Sequence, residues 1–134
     1  AGSGRPGGKP LAIDYDFGTG GGFVVARAEV ALQLPEVWEL RLRIRGRAPS
    51  NGIEVKVVDE AGTSAWRWKR DAFEAPDAWM DLVLPGHAFE FAWGPVGGAA
   101  PSRIGAVEIV VVANPGGCGL LEVADLRILD RGRA

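Results

Sequence analysis

The stretch VWELRLRIRG, residues 37–46, alternates apolar and charged side chains along its whole length. Because successive side chains of a β-strand point to opposite faces, this pattern predicts a strand with one buried and one solvated face. The stretch GIEVKVVD, residues 52–59, repeats the pattern, with Ile53, Val55 and Val57 on its apolar face. Turn-forming residues separate the two stretches, so we expect them to pair with one another and to share a polar outer face.

Seven further stretches of β-forming residues lie between clusters of glycine and proline. The nine predicted strands are Leu11–Phe17, Gly22–Val30, Val37–Gly46, Gly52–Asp59, Ser64–Arg70, Trp79–Leu84, Ala88–Trp93, Arg103–Ala113 and Leu120–Leu129. Many short strands without a convincing amphipathic helix are typical of an all-β antiparallel sandwich or jelly roll. At 134 residues the chain fits a single β-sandwich domain over residues 11–130, with a linker or cloning edge at 1–10 and a tail at 131–134.

The composition excludes several classes of function. The 15 basic and 17 acidic residues nearly balance, so nucleic acid and anionic membrane surfaces are not expected partners. No apolar run approaches the ~18 residues of a membrane-spanning helix. A single cysteine and a single histidine provide neither an internal disulfide nor a cluster of metal ligands. The sequence holds none of the common catalytic motifs, and we predict that the protein is not an enzyme.

Tryptophan is the most informative residue type, with five in the chain. Trp38 alternates with aliphatic residues and is predicted to lie in the core. Trp66 and Trp68 share one face of a predicted strand, and they point outward only if a one-residue bulge in the preceding turn shifts the register. The inward orientation is favoured, because the alternative would bury Arg67 and Lys69 at a large cost in free energy.

Trp79 and Trp93 lie beside loops at the ends of predicted strands. Aromatic rings in such places either cap the core or form flat platforms on which the apolar face of a sugar ring packs. We therefore predict a ligand-binding site in which charged neighbours bond the sugar hydroxyls. Its predicted residues are Glu54, Lys56, Trp66, Arg67, Trp68, Lys69, Trp79 and Trp93.

Both ends of the chain contain strands that are acidic as well as apolar. The first is AIDYDF, residues 12–17, followed by a glycine-rich turn, and the last is LEVADLRI, residues 121–128. With nine strands between them, they resemble the galactose-binding-like jelly rolls, a group with many non-catalytic carbohydrate-binding modules of bacterial glycoside hydrolases. The resemblance implies a monomeric module that binds a polysaccharide or oligosaccharide and is tethered to a catalytic domain in a secreted or extracytoplasmic protein. The outer face departs from the group in being rich in arginine, which points to a charged or strongly polar glycan.

The same resemblance implies a structural calcium ion that ties the first strand to the last. Asp16 and Asp125 match the acids of the group, and carbonyls of the Gly18–Gly22 turn would supply further oxygen ligands. In the alternative interpretation, Asp16 caps a turn and Asp125 marks a bulge.

Two other functions stay open at this point. The protein is alternatively a structural or protein-docking β-sandwich, whose Arg/Glu face packs against a neighbouring domain. A small sugar-processing jelly-roll enzyme is the third possibility, with a carboxylate pair drawn from the acids around Pro76.

Overall fold

The computed structural model describes residues 10–132 as two antiparallel β-sheets packed face to face. The strands are β1 (Leu11–Asp16), β2 (Phe23–Gln33), β3 (Trp38–Arg47), β4 (Gly52–Asp59), β5 (Ala65–Arg70), β6 (Met80–Pro85), β7 (Glu90–Trp93), β8 (Arg103–Val112) and β9 (Cys118–Asp130). A short 3-10 helix, Gly86–Ala88, joins β6 to β7.

The predicted all-β jelly-roll class is confirmed. Residues 1–9 of the predicted linker and 133–134 of the predicted tail lie outside the described residues. Nowhere in residues 10–132 is a helix both long and apolar enough to cross a membrane.

The two alternating stretches from which the fold was predicted, now β3 and β4, lie in different sheets. One sheet has the order β1-β9-β3-β6 and the other β2-β8-β4-β5-β7, so β3 and β4 belong to different sheets. The prediction that these two strands pair with one another is therefore wrong. Their apolar faces instead meet across the core, with Leu40 and Ile44 of one sheet and Val55 and Val57 of the other fully buried.

The polar faces of β3 and β4 consequently lie on opposite sides of the molecule. Arg41 and Arg43 point away from the core on the four-stranded sheet, and Glu54 and Lys56 do so on the five-stranded sheet. The single polar face expected from the sequence is thus two separate faces. Each of them can be considered as a binding surface in its own right.

The turn between β4 and β5 sets the orientation of the Trp66 and Trp68 side chains. Asp59 Oδ1 accepts hydrogen bonds from the backbone N–H groups of Thr63 (2.8 Å) and Ser64 (3.1 Å). Partial desolvation raises the pKa of Asp59, but these bonds and that of the Thr63 hydroxyl outweigh it and hold the pKa below its ordinary value. Because β4 and β5 then pair without a register shift, Trp66 lies opposite the inward-facing Val57. The inward orientation predicted for the two tryptophans is confirmed.

Candidate functional site

The outer face of the five-stranded sheet carries a line of charged side chains that crosses all five strands. Residues paired directly across a sheet point to the same face. From β2 to β7, the residues paired along this line are Arg27, Glu108, Lys56, Arg67 and Glu90. We call these five residues the charged row.

Most cations of this face lie close to a carboxylate, although Lys56 and Arg67 are paired directly with one another. The Arg27 guanidinium donates hydrogen bonds to Glu29 (2.7 Å) and Glu108 (2.8 Å), and these two bonds raise the pKa of Arg27 above its ordinary value. On the adjacent row, Glu54 Oε1 lies 3.8 Å from Lys56 Nζ and 3.9 Å from Arg67 Nη1. Four cations and four carboxylates are grouped on this face, namely Arg27, Lys56, Arg67 and Lys69 with Glu29, Glu54, Glu90 and Glu108. The charges of these eight side chains cancel, and the face is rich in hydrogen-bonding groups.

Trp93 lies at one end of the same face, on the edge strand β7. It pairs with Ala65, which lies on the same side of the sheet but is buried, and 44% of the surface of Trp93 is exposed. Gly94 follows it with φ of +121°, and a Cβ at Gly94 would lie 2.2 Å from Ser64 Oγ. A side chain at position 94 would clash with Ser64, so glycine is required where the chain leaves Trp93. Trp93 thus presents a partly exposed ring beside a close turn.

A cleft of about 200 Å³ opens at the other end of this face, where β4 begins and β5 and β8 end. Glu54, Lys69 and Asp71 contribute polar groups to its wall, and the Lys69 Nζ and Asp71 Oδ1 atoms are 3.8 Å apart. Gly52 and Val112 contribute apolar surface. The cleft and Trp93 therefore mark opposite ends of a face that the charged row crosses between them.

The structure brings together five of the eight residues that the sequence predicts for a ligand site. Four of them form two directly paired couples on this face, Glu54 with Lys69 and Lys56 with Arg67. The fifth, Trp93, lies on the next row of the same face. Their assignment to ligand contacts stays a prediction. The other three predicted residues lie elsewhere.

Trp66 and Trp68 point into the sandwich and do not offer a ring to a ligand on this face. Trp66 is buried, its Nε1–H donates to the Ala99 carbonyl (2.9 Å), and its ring packs edge-on against Phe91. Trp68 is half-buried against the core, and the Arg70 guanidinium lies 5.3 Å from its ring centroid. The prediction that these two tryptophans contact the ligand is therefore corrected, because the register of β5 points both side chains into the core.

Trp79 lies on the opposite side of the molecule, over the outer face of the four-stranded sheet. The Arg45 guanidinium stacks 4.4 Å from its ring centroid and that of Arg43 lies at 5.8 Å. Arg45 also donates to Glu122 Oε1 (2.8 Å), which fixes the stacked guanidinium in place. A cation over an aromatic ring contributes about 0.5–1 kcal/mol at an exposed site. Trp79 is therefore engaged within its own sheet and does not share a site with Trp93.

The two acids predicted to bind calcium do not converge. β1 pairs with β9 as the resemblance implies, but the ladder is antiparallel and places Asp16 opposite Cys118. Asp125 is seven residues further along β9, roughly 23 Å away at the usual rise of a strand. No group of three or more potential metal-binding side chains occurs within residues 10–132. The residues present do not fit the implied ion.

The local structure matches the alternative interpretation of these two acids. Asp16 Oδ1 accepts a hydrogen bond from the Gly18 N–H (2.8 Å), which caps the turn after β1. The Gly18 and Gly22 carbonyls of that turn already accept backbone bonds from Gly117 and Ala113. Asp125 has φ of +55° and lies where the register of β9 against β3 shifts, as in a bulge.

We expect an excess of chelator to leave the melting temperature of the protein unchanged. A metal bound only by the native state would raise the melting temperature by mass action, and the separation of Asp16 from Asp125 removes the predicted site. Differential scanning calorimetry with and without chelator, combined with elemental analysis, provides the measurement. A lower melting temperature in chelator would restore the prediction of structural calcium with other ligands.

Three residues of the charged row were not found by sequence reasoning. Arg27 lies in a strand whose outer face begins with Phe23 and Val25, so the alternation of apolar and polar side chains is weaker there than in β3 or β4. Glu108 and Glu90 look like isolated acids in the sequence, and only the pairing of β8 and β7 brings them into line with Lys56 and Arg67.

Comparison with known proteins places this sandwich among carbohydrate-binding modules in fold. It is similar to a family 11 carbohydrate-binding module from Clostridium thermocellum in complex with a β-1,3-1,4-mixed-linked tetrasaccharide, with a TM-score of 0.56, 12% identity, and 91% of this chain and 95% of that chain covered. It is also similar to the carbohydrate-binding module CBM4, with a TM-score of 0.58, 13% identity, and coverage of 90% and 82%. These likenesses show that the fold is the jelly roll of such modules.

A third similar structure is an agarase, with a TM-score of 0.61 and 12% identity. Here the match covers 94% of this chain but only 21% of the agarase chain. No protein-family model matches the sequence, and no curated protein is significantly similar to it.

Proposed function

We propose that this domain binds an uncharged polysaccharide on the outer face of the five-stranded sheet and does not cleave it. The observation that carries the proposal is the charged row, whose cations lie close to carboxylates, with the partly exposed ring of Trp93 on the next row of the same face. The jelly-roll fold, shared with modules that bind oligosaccharides, supports the same conclusion. In this proposal the domain is a monomer tethered to a catalytic domain of a secreted or extracytoplasmic protein, and it concentrates that enzyme on its substrate.

The chemistry of the face suits a polyhydroxylated chain. The apolar C–H side of a sugar ring packs on an aromatic face such as that of Trp93, while its hydroxyls exchange hydrogen bonds with side chains around it. Hydrogen bonds to charged groups are stronger than those between neutral groups. The side chains of Lys56, Arg67 and Glu90 can donate or accept such bonds along a chain laid across the sheet.

The charge balance of the face selects the class of glycan. Arginine-rich surfaces attract polyanions over long distances only when their positive charges are uncompensated. On this face each of Arg27, Lys56 and Lys69 lies within 4 Å of a carboxylate. An uncharged glycan therefore fits this surface better than the charged glycan that the arginine content of the sequence indicated.

We expect Trp93→Ala to weaken binding of a soluble β-1,3-1,4-linked glucan roughly tenfold, the effect typical of truncating an aromatic contact worth more than 1 kcal/mol. Trp79→Ala is the matched control, because it removes the same side chain from the opposite face of the molecule. Isothermal titration of both variants, with circular dichroism to verify folding, provides the measurement. Weaker binding by Trp79→Ala with normal binding by Trp93→Ala would move the site to the four-stranded sheet.

A further inference from the structure

Phe23 is the most exposed large apolar side chain within residues 10–132, with 68% of its surface accessible. It is the first residue of β2 and pairs with Val112, so it shares the outer face of the five-stranded sheet. Val25, 41% exposed, is the next residue of β2 on that face and pairs with Val110. Together these side chains make an exposed apolar corner on a face whose other solvent-exposed strand residues are mostly charged. Exposed apolar patches on soluble proteins commonly mark binding sites.

The position of the Phe23 ring is set by the sheet and not by a loop. The ladder between β2 and β8 runs without interruption from Phe23↔Val112 to Glu29↔Ala106. Just before it, the Gly22 carbonyl accepts a hydrogen bond from the Ala113 N–H (2.9 Å), which ties the start of β2 to the end of β8. The ring therefore projects from a paired backbone, as a preorganised contact does.

The apolar corner borders the cleft at this end of the face. Val112 pairs with Phe23 on one side and with Gly52 on the other, and both Val112 and Gly52 line the cleft. A Cβ at Gly52 would lie 3.3 Å from the Asp71 carbonyl oxygen and 3.6 Å from Val112 Cβ, so the glycine keeps this space open. Beyond it, Glu54, Asp71 and Asn114 provide polar lining. An apolar platform thus lies one strand away from the wall of a cleft whose polar groups can bond hydroxyls.

Resting on the function proposed above, we propose that Phe23 and Val25 form the apolar platform of a second sugar-ring subsite. Glu54, Asp71 and Asn114 line the cleft beyond Val112 and would bond the hydroxyls of the neighbouring sugar of the same chain. Carbohydrate fits this surface better than a protein partner does, because a narrow apolar strip followed by a polar cleft matches a chain of rings that each have a C–H face and a hydroxyl edge.

The two aromatic platforms lie far apart on one face. Phe23 lies on β2 and Trp93 on β7, which are four strand spacings apart in this sheet. Along the strands the two residues are six positions apart, because the residue of β2 on the same row as Trp93 is Glu29. Those steps correspond to roughly 25–30 Å. The domain therefore recognises a long glycan chain that contacts both ends of the face, and a chain too short to span this distance gains only one platform.

The test compares Phe23→Ala with wild type by isothermal titration, using soluble β-1,3-1,4-linked glucan and its tetrasaccharide as probes. We expect wild type to bind the polymer more tightly than the tetrasaccharide, and Phe23→Ala to weaken polymer binding about tenfold. Phe23→Trp should keep the affinity, because it keeps an aromatic platform. Val83→Ala, an exposed apolar residue of the four-stranded sheet, is the matched control and should bind normally.

The outcomes separate this proposal from the function on which it rests. If wild type binds the glucan and Phe23→Ala binds it equally well, the second subsite is refuted while the module function stands. If wild type binds neither probe, both proposals fail for this glycan class. Because Phe23 is exposed, the variant is expected to melt at the wild-type temperature, and calorimetry checks this.

Discussion

The Trp38→Ala variant is expected to lose about 3–5 kcal/mol of unfolding free energy, the usual cost of truncating a buried tryptophan. Trp38 is 7% exposed and its ring lies 5.0 Å from that of Phe89, centroid to centroid. Its indole also packs directly against Gly86, where an added Cβ would lie 2.7 Å from the ring. The side chain is therefore closely packed on more than one side, and its truncation would leave a cavity in the core.

Urea denaturation followed by circular dichroism measures this loss. Trp79→Ala is the control, because Trp79 is half-buried on an outer face and its cation–π contacts contribute only about 0.5–1 kcal/mol at an exposed site. A loss below 1 kcal/mol for Trp38→Ala, or equal losses for both variants, would contradict the assignment of Trp38 to the core.

Asn51→Ala is expected to lower the unfolding free energy by about 2–5 kcal/mol. The Asn51 side chain is buried, and its Nδ2 group donates to Tyr15 Oη and to the Gly116 carbonyl, both at 3.0 Å. Its Oδ1 accepts from the backbone N–H groups of Asn114 (2.6 Å) and Gly116 (2.7 Å). Each buried polar group left without a partner costs about 1–3 kcal/mol, and truncation removes all four bonds at once.

Asn114→Ala is the matched control for this prediction. Asn114 lies in the same loop contact, but its side chain is exposed and its hydrogen bond to Asn51 comes from the backbone, which alanine keeps. The same denaturation experiment should show a change of no more than about 0.5 kcal/mol for Asn114→Ala. Comparable losses for the two variants would show that the Asn51 side chain does not hold the loop.

The period of two along the chain predicts which side chains are buried, but not which strands are neighbours. It correctly assigns Leu40 and Val55 to the core, yet β3 and β4 lie in different sheets. Alternation depends only on the two faces of each strand, and a short connection can either form a hairpin or cross from one sheet to the other. Strand pairing is decided by packing of the whole sandwich, which no single stretch encodes.

The same limit explains what the sequence could and could not predict about the site. Residues within two adjacent strands, such as Glu54 and Arg67, could be grouped because their strands follow one another in the chain. Trp79 was grouped with Trp93 because both stand at strand ends, a local property that says nothing about the sheet on which each lies. Phe23 escaped notice because Phe23 and Val24 are both apolar, and the sequence does not show which of the two faces the core.

The calcium prediction shows that correct neighbours are not sufficient for a site. The first and last strands do pair, as the resemblance to the galactose-binding-like jelly rolls implies. Their antiparallel direction, however, sends the end of β1 toward the start of β9, which separates Asp16 from Asp125. The direction and register of a pair, and not adjacency alone, decide whether two carboxylates can bind one ion.

Affinity electrophoresis of the wild-type protein in gels that contain soluble polysaccharides tests the central claim most directly. We predict that at least one uncharged polysaccharide retards the protein and that no reducing sugar is released. The retardation should persist in 0.5 M salt, because a Debye length of roughly 4 Å weakens only long-range electrostatic attraction. Retardation by polyanions alone, lost in salt, would contradict the balanced face as the site, and release of reducing sugar would contradict the non-catalytic assignment. Free migration in every gel of a broad panel would contradict carbohydrate binding itself and favour a docking domain.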